Sequence, residues 1–143
     1  MPPHSISATP GNHDAVIVGA GPTGLALAAE LHRLGIAPLV LDRLDAGENT
    51  SRAAVIHART LEVLQPLGVN EKLIGEGLAL TTFRLRERSR ILASVDFGNL
   101  DTAFPFTLMC PQDRTEAILL ERLRTLGGEV RRRCNVLAEL DNR

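Results

Sequence analysis

Residues 14–31 read Asp-Ala-Val-Ile-Val-Gly-Ala-Gly-Pro-Thr-Gly-Leu-Ala-Leu-Ala-Ala-Glu-Leu. An apolar run, Ala15 to Val18, stops at Gly19. Gly21 and Gly24 follow, and an Ala/Leu-rich stretch begins at once. This is G-x-G-x-x-G between a predicted strand and a predicted helix. Glycines at these positions permit a tight turn, close approach of the main chain to a diphosphate, and close packing of helix on strand. The free N–H groups and positive dipole end of the helix would face the phosphates. Pro22 suits a first helical turn, where its missing N–H costs nothing.

The neighbouring residues extend the pattern. Leu27, Leu31 and Leu34 recur at i, i+4 and i+7, which predicts the buried face of the helix. Gly35 stands where a helix C-terminal glycine is expected. Ile36 to Leu41 reads as a second buried strand and ends at Asp42, 18 residues after Gly24. A carboxylate roughly 20 residues beyond the glycines, at the tip of strand two, is placed to accept ribose hydroxyls. The polar stretch Arg43–Arg52 then reads as a loop past the carboxyl end of that strand. In a doubly wound sheet ligands bind at that edge. Arg43 and Arg52 are its nearest cations.

The bulk composition narrows the classes. A chain of 143 residues fits one domain. We divide it into a mobile tail, residues 1–13, and a nucleotide-binding domain, residues 14–143. A net charge of −1, with no Trp or Tyr, gives no electrostatic or stacking case for nucleic acid. No run has the length of a membrane span. Cys110 and Cys134 lack metal or redox spacing and read as free thiols of a reducing cytoplasm.

Downstream, a helix is predicted from about Ala53, with Leu61 and Leu64 on one face and Pro66–Gly68 at its end. Asn70 is expected to cap a short helix over 71–75. Thr81–Arg90 alternates Phe83, Leu85 and Glu87 with Arg84, Arg86, Arg88 and Arg90, which predicts a strand with one wet face. Ile91–Phe97 reads as its partner, and 104–110 as a third extended piece. Asp113 with Glu116 suggests a capping box opening a helix, with Leu119, Leu123 and Leu126 as its apolar stripe. Gly127-Gly128 ends it. Residues 129–137 read as the third parallel strand, beside the second after a right-handed crossover.

The order of these motifs resembles the N-terminal part of the FAD-dependent aromatic-ring monooxygenases, the single-component flavoprotein hydroxylases acting on phenols and polyketides. The likeness is carried by Val16–Leu25, Leu39–Arg43, Ser51-Arg52-Ala53, His57–Glu62 and Phe106–Glu116 with its Pro-Gln-x-x-Thr-Glu core. It implies a Rossmann-like FAD-binding βαβ unit, an α/β fold with an inserted antiparallel strand layer, incomplete relative to the family. It implies that Gly19, Gly21, Pro22, Thr23 and Gly24 cradle the FAD pyrophosphate and that Asp42, where the family usually has Glu, holds the ribose. Arg43 would lie near the adenine, Arg52 near the pyrophosphate and ribityl portions, and Gln112 at the ribityl or ring edge. NAD(P)H would be the co-substrate and a small aromatic the substrate. A second chain or a missing C-terminal part would complete the fold, and no catalytic acid or base is named. An NAD-dependent dehydrogenase domain and a non-catalytic nucleotide-binding module needing a partner chain remain alternatives.

Overall fold

The computed structural model describes residues 13–47 and 55–137. Residues 1–12 of the expected tail at 1–13, Arg52 with its Ser-Arg-Ala motif, and residues 138–143 lie outside the described residues.

Strand β1 (Val16–Val18) runs into helix α1 (Pro22–Arg33) and then strand β2 (Leu39–Leu41). The last described strand, β8 (Val130–Arg131), joins them in a parallel sheet of order β1-β2-β8. The third strand therefore lies beside the second, as the crossover rule predicts. The paired segments, two or three residues each, are shorter than the strands expected at Ile36–Leu41 and 129–137. All three carboxyl ends meet on one edge.

Between β2 and β8 the chain builds an antiparallel layer. Strands β3 (Val55–Ile56), β4 (Leu78–Leu80) and β7 (Thr107–Met109) form a sheet of order β3-β7-β4. Strands β5 (Thr82–Glu87) and β6 (Arg90–Asp96) form a hairpin, with a register shift between Leu85 and Arg86. Helices α2 (Ala58–Leu64), α3 (Asn70–Glu76) and α4 (Gln112–Thr125) complete the molecule. A 3-10 turn at Gln65–Leu67 follows α2 and ends in left-handed Gly68. Helix α1 packs on α4, and the core gathers Leu25, Ala28, Ala29, Val40, Leu61, Leu73, Leu108, Leu119 and Leu123.

Several expectations are corrected. Helix α1 buries Leu25, Ala28 and Ala29. Leu27 and Leu34 are 49% and 60% exposed, and only Leu31 of the expected stripe packs against the core. The two alanines bring the helix axis close to its neighbours, which a leucine face would hold away. Residues Val55–Ile56 are a strand, so α2 starts at Ala58 with His57 as its N-cap. Asn70 is the first residue of α3, not its cap; its Nδ2 donates to the Leu61 carbonyl at 2.7 Å. The cap of α4 is Pro111, so Asp113 and Glu116 form no capping box. Glu116 instead accepts from Gln112 Nε2 at 2.8 Å. The hairpin has no dry face: Phe83 and Leu85 are 57% and 51% exposed, because no described element covers them.

Candidate functional site

A cavity of about 530 Å³ opens at the carboxyl edge of the parallel sheet, between the loops that leave β1, β2 and β8. Gly19, Gly21, Asp42, Arg43 and Gln112 all line it. These are five of the nine candidate residues, drawn from three separated stretches of sequence. Pro22 and Thr23 line a neighbouring apolar cavity of about 320 Å³, which Gln112 also borders. Gly24 lies beneath the loop, and Arg52 lies outside the described residues.

The first loop has a physical explanation at two positions. Gly19 takes φ +104°, a region that L side chains rarely adopt. A Cβ on Gly24 would stand 2.0 Å from the Gly19 carbonyl oxygen, so the start of α1 lies directly against the turn. Of this loop, Gly19, Ala20 and Gly21 line the cavity. Among the described residues, the N–H groups of Gly21, Thr23 and Gly24 donate to no protein acceptor. Helix α1 has no acidic residue in its first turn and carries His32 and Arg33 in its last, so side-chain charge complements its dipole at the far end. Space for a ligand is present too: a Cβ built on Gly21 would meet no protein atom within 4 Å. Unsatisfied amides, a positive helix end and an open wall fit the pyrophosphate of a dinucleotide.

Asp42 joins all three loops. Its Oδ2 accepts the Ala20 N–H at 2.6 Å, and its Oδ1 accepts the Leu44 N–H at 2.8 Å. Its own N–H donates to the Arg131 carbonyl, and its carbonyl accepts from the Cys134 N–H, each at 2.9 Å. Arg132 Nη1 stands 3.6 Å from Oδ1. Asp42 is buried, at 9% exposure. Farther out, Arg133 makes a two-pronged ion pair with Asp45, and that hydrogen-bonded carboxylate raises the guanidinium above its ordinary value.

Sequence reasoning missed Glu116, Arg132, Cys134, Asn135 and Val136 as lining residues. In the sequence, Glu116 fits a helix-capping pattern. The arginine run 131–133 carried no motif. The place of β8 beside β2 is a signal for the arginine run, since a ligand edge includes every adjoining strand.

Comparison with known proteins agrees with this geometry. The family described as FAD binding domain matches residues 12–143. The chain is 38% identical over 130 residues to an uncharacterized aromatic compound monooxygenase of Bacillus subtilis, covering 91% of this chain and 26% of the relative. It is 46% identical over 114 residues to the 6-methylpretetramide 4-monooxygenase of Streptomyces rimosus, covering 78% and 20%. Among solved structures, the p-nitrophenol 4-monooxygenase of Pseudomonas putida superposes with a TM-score of 0.79 at 26% identity, over 85% of this chain and 32% of that one. The chain thus spans about a quarter of the length of the curated relatives it matches. Among the described residues no helix is long and apolar enough to cross a membrane.

Proposed function

Because the chain belongs to the FAD binding domain family, we propose that it forms the nucleotide-binding part of an NAD(P)H-dependent flavoprotein monooxygenase that hydroxylates an aromatic compound. The observation that carries this reading is the cavity at the carboxyl edge, where Gly19, Gly21, Asp42, Arg43 and Gln112 converge. The relatives' activities as monooxygenases support the chemistry. When bound, FAD supplies the redox and oxygen chemistry; the protein binds it, orients it and excludes water.

In this reading the Gly19–Gly24 loop holds the pyrophosphate through main-chain amides. Pro22 presets the first helical turn, and Thr23 adds an amide beside it. Asp42 and Arg43 belong to the adenosine end, and Arg52 to the pyrophosphate and ribityl portions. Gln112, held by Glu116 and bordering both cavities, belongs to the ribityl side. The aromatic substrate and nicotinamide sites belong to the remainder of the relatives' length, on the same polypeptide or on a second chain. Both cysteines are free thiols, which suits the cytoplasm.

Titration of the purified chain with FAD tests the proposal. Saturable quenching of flavin fluorescence, with no comparable effect of NAD⁺, is the expected result. Binding of NAD⁺ in place of FAD would transfer the site to a dehydrogenase, and binding of neither would remove the reading. NADPH oxidation that depends on a phenolic substrate, assayed once the remaining part is supplied, checks the activity.

A further inference from the structure

Gln112 borders two cavities, the one at the carboxyl edge and the apolar one beside it. A primary amide has unlike ends: its nitrogen donates and its oxygen accepts. The end that meets a ligand decides what the ligand must bring. Gln112 and Glu116 lie four residues apart on α4, one turn along the same face. Gln112 Nε2 donates to Glu116 Oε1 at 2.8 Å. An ionised carboxylate accepts hydrogen bonds and gives none, so a reversed amide would set oxygen against oxygen. The nitrogen is therefore committed to Glu116. Among the described residues no group donates to Gln112 Oε1. Glu116 is itself confined. It is 8% exposed, and a Cβ on Gly47 would collide with its Oε2, so the β2 exit loop closes on the second carboxylate oxygen. Arg132, which lines the same cavity, stands 3.6 Å from Asp42.

We infer that Glu116 is a positioning residue: by holding the Gln112 amide nitrogen it leaves the amide oxygen for the ligand, so the group recognised there is a donor, a hydroxyl or a ring N–H. The inference rests on the nucleotide-binding reading above. It deepens that reading by giving the Gln112 contact a polarity. FAD carries such donors on its ribityl chain and ring, and ADP lacks that half of the molecule.

FAD and ADP, each titrated calorimetrically into the full chain, Gln112→Met, Glu116→Ala and the double variant, provide the test. Each single variant should lose about three- to tenfold in FAD affinity, the scale of one hydrogen bond, while ADP binds all four proteins equally. The double variant should lose no more than Gln112→Met, because Glu116 acts through that amide. Side-chain NMR reads the polarity. The Gln112 NH2 signals, identified by their absence in Gln112→Met, should be protected from exchange before FAD is added and remain so afterwards. Protection gained only when FAD binds would show the nitrogen facing the ligand and would overturn the inference. An equal loss for ADP in Glu116→Ala would overturn it too, since the residue would then be merely structural, as would a further loss in the double variant. Should Glu116→Ala not fold, Glu116→Gln, whose amide pairs with Gln112 either way round, carries the same comparison. If the unaltered chain binds FAD but these patterns fail, only the inference falls. If it binds neither FAD nor ADP, the proposed function falls and the inference with it.

Discussion

Gly24 and Asp42 act on one peptide group, the one joining Gly19 to Ala20, and the contact with Gly24 can be tested by a single substitution. Gly24→Ala would place a methyl carbon 2.0 Å from a main-chain oxygen. Backbone cannot rotate away as a flexible side chain would, so α1 must shift. Overpacking of this kind costs about 1–3 kcal/mol. We expect chemical denaturation of Gly24→Ala to show that loss, accompanied by weaker FAD binding. The convergence of Gly19, Gly21 and Asp42 on one cavity was legible because their spacing reflects local geometry, one turn and one strand tip; Gln112 entered only through the family resemblance. Glu116 and Arg132 were not legible. Their neighbours in the cavity are remote in the chain, and Glu116 fitted a local capping pattern equally well. What decided against the cap was Pro111, which begins α4, and Gln112, whose amide reaches Glu116.

At the level of elements, periodicity located helices better than it chose their buried faces. Helix α1 is apolar nearly all round, so two faces satisfied the same spacing. The one that packs is the one with alanines. Helix α4 is richer in charged residues, and two of the three leucines of its expected stripe, Leu119 and Leu123, are at most 1% exposed. Leu123→Ala should cost about 2–5 kcal/mol by opening a cavity in the core, measurable as a lower denaturation midpoint. Surface pairs on the helices contribute a pH dependence. Glu62 is held below its ordinary 4.5 by the Thr102 hydroxyl and then by Arg59, and Glu30 lies below 4.5 chiefly through its hydrogen bond to Arg33. A carboxyl depressed in the fold stabilises it fully above the unfolded value and loses that contribution as pH falls through the folded one. Thermal melts should therefore decline as the solution is acidified below about pH 4.5, and the decline should be shallower in Glu62→Gln.

Across the whole molecule, the strand order β1-β2-β8 followed from chain order and handedness, whereas the extent of uncovered surface did not. Alternation along 82–87 implied a dry side; whether anything lies against it depends on elements that no local pattern reports. Strand β1 is at the edge of its sheet, with Val16 and Val18 at 56% and 64% exposure, and Phe83, Leu85, Ile91 and Leu92 of the hairpin are similarly open. Unpaired strand edges and apolar patches favour association. Light scattering on the isolated chain should report species heavier than one copy, growing with concentration; a monodisperse single copy would contradict this. The loop ties at Asp42 have a consequence for synthesis. The glycine loop lies near residue 20, but the carbonyl and amide that anchor Asp42 from the far side come from Arg131 and Cys134. A growing polypeptide emerging from the ribosome would carry the glycine motif early and still lack a finished cradle until β8 and the residues just past it had been made, so cofactor capture would follow the docking of that strand.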